Sequence, residues 1–419
     1  MTEPRKPARP GYDAIVDMAV IPEIGNYPIA YALVKFTHTI KSGQCRPAPP
    51  EPLFHDIRDQ TLKPRLRQGT DYWPWKEATD VALIGSAFAP DASPVRTMIV
   101  SAQIGAKVKR IQVFGKRLLE WAGGEVAWIP PPEPFTEMPL TYENAYGGID
   151  WRVGPWKPGE TPGYPWGIEV DHPGLYPRNP FGKGYVVLPG DVPGTELPNL
   201  EDPEDLLTLE RIVTRDPKAW FKQPLPWCFD WLHLMSFPRF IYFQSGVDAW
   251  FPGPQDAALP EIRRGFCPPN YRDMMLAQPT PHPHPRFYQE ASHGFILKDL
   301  RGNEPVVLKG MNPTEPTLRF DLPAPLRSLE IEIEGKREVV KPRLHSVVCR
   351  PAELKVTMLY AGECRLPRPF VPRIHKHIPV AVRVNGNAPI WSETPQTVRE
   401  QVDAALAKPQ PPFPWEKSS

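Results

Sequence analysis

The residues whose types and spacing suit chemistry fall into a few groups, each implying a different reaction. In PLTYENAYGGIDW, Pro139 to Trp151, the carboxylates Glu143 and Asp150 lie beside Tyr146 and Trp151. A sugar cleft has that composition, with two carboxyls roughly 5–10 Å apart serving as acid and as base or nucleophile. NPFGKGY, Asn179 to Tyr185, carries a Gly-Lys-Gly run. It lacks the phosphate-loop spacing, the Ser or Thr after the lysine, and a following helix pattern, so it reads as an ordered turn. His282 and His284 in PTPHPHP share one face of an extended segment, with Glu290 or His293 within reach as a further ligand. Zinc needs three or four converging ligands, and neither this run nor RIHKHIP, with His375 and His377, closes such a set. No GxSxG is present, and the adjacency of Ser292 and His293 does not by itself set the hydroxyl against the imidazole. Cys228 in LPWCFDW and Cys267 in RGFCPPN sit among apolar groups and prolines, where burial raises a thiol pKa and makes it inert. No catalytic residue, metal ligand or cofactor site is expected, and the chain reads as a non-enzyme.

The same central stretch has a plainer reading. Tyr142 and Tyr146 are four apart and would stack on one side of a helical turn, which Gly147-Gly148 would end. Buried tyrosines need hydroxyl partners, and Glu143 or a backbone carbonyl is near. Packing alone explains the cluster, although exposed tyrosine and tryptophan would equally suit a protein interface.

The elements that position these residues are strands. Ala32, Val34, Phe36 and Ile40 alternate with Lys35, Thr37 and Thr39, predicting a half-buried strand. A short strand is expected at Asp80 to Ile84. VRTMIVSAQIG and VKRIQVFG follow as a hairpin broken at Gly105-Ala106-Lys107. Late in the chain, LEIEIEGKREVV reads as a hairpin with Leu329, Ile331 and Ile333 inward and Gly335-Lys336 turning. Leu344, Ser346 and Val348 pair with the strand carrying Leu354, Val356 and Met358, and Val380, Val382 and Val384 make one more. Short elements at Gly184 to Leu188 and around Pro203 to Thr214 punctuate an otherwise irregular middle. A tail helix capped by Thr394 and Pro395 is expected, with Val398, Val402 and Leu406 as its stripe.

The expected fold is mainly β: two antiparallel sandwich-like lobes joined by a long Pro/Trp-rich segment, with a short C-terminal helix. The divisions are a flexible lead at 1–19, an N-terminal β lobe at 20–129 and a wrapping segment at 130–285. A C-terminal β lobe at 286–388 and a helix with a Pro-rich tail at 389–419 complete the chain. Fifty-nine prolines argue against long helices, and 13 tryptophans argue against disorder, since such rings need surfaces to pack on.

Lys plus Arg number 49 against 48 for Asp plus Glu, so nothing predicts steering toward nucleic acid or an anionic membrane. Neither an apolar leader nor an eighteen-residue apolar run is seen, which predicts no membrane insertion. The cysteines, at 45, 228, 267, 349 and 364, form no CxxC and are read as reduced thiols of a cytoplasmic protein.

On several landmarks the chain resembles a known family, the bacterial domain of unknown function 2169. They are the KFT strand at Lys35 to Thr37, Lys76 with ATDVALIG at Ala78 to Gly85, and VKRIQVFGKR at Val108 to Arg117. PLTYENAYGG, NPFGKGY, TELPNLED at Thr195 to Asp202 and LHSVV at Leu344 to Val348 follow in order. Met358-Leu359-Tyr360-Ala361 stands where the family tends to have a Trp-Arg pair. The resemblance implies association with type VI secretion. It implies an adaptor or chaperone that binds a secreted effector encoded nearby and helps load it onto VgrG- and PAAR-type spike-tip proteins. It attaches no catalytic residue, and its motif residues Tyr142, Glu143, Tyr146, Gly147, Gly148, Asn179, Gly182 and Gly184 would be structural or protein-binding. The competing expectations are a carboxylate-based hydrolase or carbohydrate-active enzyme, and a purely structural part of the secretion machine.

Overall fold

The computed structural model describes residues 11–21, 27–54, 71, 76–122, 126–154, 174–176, 178–187, 194–212, 223–232, 289–365, 380–387 and 389–391. The chain is mainly β, as the alternation predicts. Among the described residues the one α-helix is Leu209–Ile212, a single turn inside the stretch where a helical turn is expected. The tail helix from Thr394, His282, His284, His375, His377 and Cys267 lie outside the described residues.

Three sheets carry the architecture. In the first, the spatial order is Tyr12–Ile21, Tyr27–Lys41, Lys355–Arg365, Arg343–Arg350, Thr79–Leu83 and Ile296–Leu297, with Gln44–Pro47 added on Tyr27–Lys41. The second runs Leu200–Glu201, Lys107–Phe114, Thr97–Ile104, Pro305–Lys309 and Thr317–Asp321. The third runs Lys336–Val340, Leu329–Ile333, Val380–Val384 and Ile390–Trp391.

Strands from 20–129 and from 286–388 therefore share both larger sheets, and the middle stretch adds Leu200–Glu201 to the second. The expected flexible lead is corrected from residue 12 onward, because Tyr12–Ile21 pairs along its length with Tyr27–Lys41 as the edge of the first sheet. Alternation fixes the face a residue takes but not which strand lies beside it, so pairing across 200 residues was invisible locally. One apolar cluster spans all three sheets, including Val81, Val100, Val306, Leu329 and Val382. Each such side chain, fully buried, contributes about 1.5–3 kcal/mol of transfer free energy.

Several local expectations change on inspection. The middle of the Tyr27–Lys41 strand is buried on both faces: Ala30 to Val34 are fully buried, and Lys35 and Thr37 on the polar side are buried too, while Thr39 and Lys41 are exposed. The segment before Phe54 covers that side. Lys35 Nζ donates to Asp71 Oδ2 (2.9 Å) and to the Pro52 carbonyl (3.2 Å), and the Glu51 amide donates to Thr37 Oγ1. In the late hairpin, Lys336 pairs with Ile333, so the turn residues are Glu334 and Gly335 rather than Gly335 and Lys336. Both have positive φ, 50° and 77°, as the tight two-residue turn that follows the strand twist requires. Strand Arg343–Arg350 pairs with Lys355–Arg365 as expected, but on its other side it runs parallel to Thr79–Leu83.

Candidate functional site

The two central motifs fold onto each other. Tyr142–Asn144 forms a 3₁₀ turn, and the chain then extends so that Tyr146–Gly147 pairs in parallel with Lys183–Gly184. Tyr142 and Tyr146 therefore belong to different elements, not to one face of a helical turn. The reason is the approach of NPFGKGY, whose backbone takes the hydrogen bonds a continuing helix would have used. The Lys183 amide donates to the Ala145 carbonyl, the Tyr185 amide to Gly147, and the Gly148 amide to Asn179. Asn179, fully buried, reaches back with its Nδ2 to the carbonyls of Tyr142 (2.7 Å) and Tyr146 (3.1 Å).

Glycine is required where the two backbones touch. A Cβ on Gly147 would lie 2.2 Å from the Asn179 carbonyl oxygen, and one on Gly182 would lie 2.5 Å from that of Ala145. Tyr146 packs edge-on against Tyr176 (5.2 Å between centroids) and Tyr185 (6.4 Å), and its hydroxyl donates to Gln223 Oε1 (3.1 Å). Burial pushes the hydroxyls of Tyr142 and Tyr146 well above the usual phenol range, so both stay neutral.

A groove of about 550 Å³ opens against this braced pair of loops, lined by Gly148, Trp151, Arg152, Phe181, Lys183 and Glu196 among others. Trp151 is 47% exposed. Asp150, the carboxylate expected to face Glu143 in a sugar cleft, is buried and committed elsewhere. It accepts from Arg152 Nε (2.8 Å) and NH2 (3.0 Å) and from the Val187 amide (2.8 Å). Lys183 and Glu196, also in the lining, pair at 2.7 Å. The groove lining thus combines the rings of Trp151 and Phe181 with two internally neutralised ion pairs.

Two of the buried cations anchor networks that sequence reasoning missed. Lys76 donates to Asp80 Oδ2 (2.6 Å) and Glu290 Oε2 (3.1 Å) with all three side chains buried. Gln289 closes the knot, donating to Asp80 Oδ1 (2.7 Å) and the Ala78 carbonyl (3.1 Å) while accepting from the Ala78 amide (2.9 Å). Burial opposes the ammonium charge, but Asp80 and Glu290 outweigh it and hold Lys76 above its ordinary value. Glu290, the residue within reach of the His282–His284 run, is committed to Lys76. Among the described residues no group of three His, Cys, Asp or Glu is arranged to hold a metal.

Lys109 is the second. It shares the inward face of its strand with Ile111 and Val113, all three buried. That phase was readable in VKRIQVFG, since residues two apart face the same way. Its ammonium donates to the carbonyls of Cys228 and His293 and to Ser292 Oγ (3.0 Å), so all three N–H bonds are used. The rings of Trp227, Phe229 and Phe295 enclose it at 4.4, 5.6 and 5.4 Å. Burial lowers its pKa to about 7 against opposing contributions from Cys228 and Asp202. A lysine titrating near neutrality beside a serine is the pairing a hydrolase would use. Here Ser292 is fully buried and spends its oxygen on accepting from the lysine, so the cluster ties the segments at 228 and 292 to the second sheet. His293 contributes its carbonyl, and burial followed by Lys109 and Arg178 lowers its imidazole to about 3. Cys228, as expected, has its thiol pushed far up by burial, and Cys45, Cys228, Cys349 and Cys364 are all free.

The other landmarks also meet in pairs. VKRIQVFGKR receives TELPNLED, through Leu200↔Val113 and through Arg117, which donates to the Pro198 carbonyl and Glu201. ATDVALIG lies parallel to LHSVV, with Asp80 opposite Ser346 and Val81 opposite Val347. The KFT strand pairs with the strand that departs from the family pattern, Lys35 opposite Leu359 and Phe36 opposite Met358. Among the described residues no helix is long and apolar enough to cross a membrane.

A family model described as an uncharacterized protein conserved in bacteria, DUF2169, matches residues 26–361. No curated protein and no solved structure matches the chain.

Proposed function

The chain belongs to the DUF2169 family of uncharacterized proteins conserved in bacteria, and on that premise we propose that it is a non-enzymatic adaptor or chaperone. Its cargo is a type VI secretion effector encoded beside its gene, which it stabilises in the cytoplasm and helps load onto the spike-tip proteins. The observation that supports this reading is the use made of the family's motif residues. Tyr142, Tyr146, Asn179 and the glycines at 147, 148, 182 and 184 are spent on bracing a groove rather than on presenting reactive groups. The rim of that groove exposes Trp151, a residue type enriched among interface anchors. A rigid scaffold with a preformed aromatic surface binds protein without a large ordering cost.

Co-expression of the full chain with the neighbouring effector is expected to give a soluble complex that survives size-exclusion chromatography. It should also raise the soluble yield of the effector. A chain that binds none of its gene neighbours, or that assembles with spike proteins only and equally well without effector, would contradict the adaptor reading.

A further inference from the structure

The second sheet buries one face and leaves the other open. Val100, Ala102, Ile104, Ile111, Val113, Val306, Leu308, Leu318 and Phe320 point inward, so the intervening residues point away from the core. The strand register sets these into rows. Ile99 lies opposite Gln112. Ser101 sits between Arg110 and Lys309, with Thr317 beyond. Gln103 sits between Val108 and Val307, with Arg319 beyond.

Two of the large apolar residues exposed on the described surface, Ile99 at 52% and Val108 at 41%, fall on this one face. Arg110, Lys309 and Arg319 are exposed, and none of them is ion-paired among the described residues. Two carboxylates belong to these rows: Asp321, at the corner opposite Pro305, and Glu201, which extends the Ile99–Gln112 row and is paired with Arg117. Lys35, Lys76 and Lys183 each have a carboxylate partner, Asp71, Asp80 and Glu196, while the buried Lys109 is held by carbonyls and rings. This face thus carries three exposed cations without an ion-pair partner among the described residues, interleaved with valine and isoleucine on a four-stranded surface. From strand spacing and rise, two strands of eight residues and two of five make a surface of roughly 400 Å², about half of the ~800 Å² one partner contributes to a standard interface.

We propose that this open face is the docking surface for an acidic, partly apolar patch on the cargo protein. The assignment rests on the adaptor reading and gives the partner its chemistry. Carboxylates on the cargo match Arg110, Lys309 and Arg319, while Ile99, Val108 and Val307, in the rows flanking Arg110 and Lys309, supply the apolar contact. The cations set the salt dependence and the rate of encounter, and the apolar side chains set the lifetime.

The test titrates the purified neighbouring effector into the full chain, as wild type and as the triple variant R110E/K309E/R319E, at low and at high salt. The three positions point to solvent, so the variant should keep the wild-type urea midpoint. Its affinity is expected to fall by about tenfold or more at low salt, and the wild type should weaken more steeply with salt than the variant. Equal affinity in the two proteins would overturn this assignment while leaving the adaptor reading standing. A wild type that binds no neighbouring effector would overturn both. Binding of a short DNA duplex by the wild type, lost in the variant, would assign the face to nucleic acid and overturn the protein partner.

Discussion

Gly147→Ala is expected to lower stability by about 3 kcal/mol or more, a loss seen as a shifted midpoint in equilibrium urea unfolding. The added methyl would stand 2.2 Å from the Asn179 carbonyl oxygen and 2.8 Å from the Asn179 Cβ. Neither is the loose end of a side chain, so relief requires the two backbones to part. Parting them breaks the Tyr146–Lys183 ladder and the hydrogen bonds that Asn179 makes to both loops. The backbone at Gly147, with φ of 148°, is also strained for any residue with a Cβ. Gly154→Ala is the matched control. Nothing lies within 4 Å of a Cβ there, and the change should stay within about 0.5 kcal/mol. Equal effects at the two positions would show that the close approach of the loops does not exist in solution.

Lys76→Met is expected to cost about 3–5 kcal/mol, because it leaves the buried carboxylates of Asp80 and Glu290 without their cation. The knot joins residues 76–80 to 289–290 across more than 200 residues of chain, so its loss should loosen the edge of the first sheet as well. Pairing the change with Glu290→Gln should recover part of the loss, since one uncompensated charge is removed. Lys183→Met, at the half-exposed pair with Glu196, should cost under about 1 kcal/mol. Chemical denaturation of the four proteins reads out the ranking. A Lys76 variant no less stable than the Lys183 variant would mean that the buried knot does not hold the fold.

These expectations rest on contacts that differ in how far they could be read from the chain. Strand identity was legible wherever one face is apolar. Leu329, Ile331 and Ile333 announced their hairpin, and Leu344 to Val348 found the partner that follows it. What alternation could not carry was the identity of the neighbour. The parallel ladder of Thr79–Leu83 on Arg343–Arg350 spans some 265 residues, and no local pattern encodes it. Lys35 looked solvent-facing because its carboxylate partner, Asp71, arrives from a separate segment. The central motifs were recognised as glycine-terminated packing. That each needs the other was hidden, because glycine signals a close approach without naming what approaches. In space the landmarks are mutual partners, which explains why they stand out together in a chain with so much irregular backbone.

The account turns on that mutual bracing, and urea unfolding of Asn179→Ala tests it most directly. Removing the amide leaves the buried carbonyls of Tyr142 and Tyr146 without the donor they share, so the fold should lose about 2–4 kcal/mol. A variant as stable as the wild type would contradict the bracing and return these residues to candidacy as a contact surface.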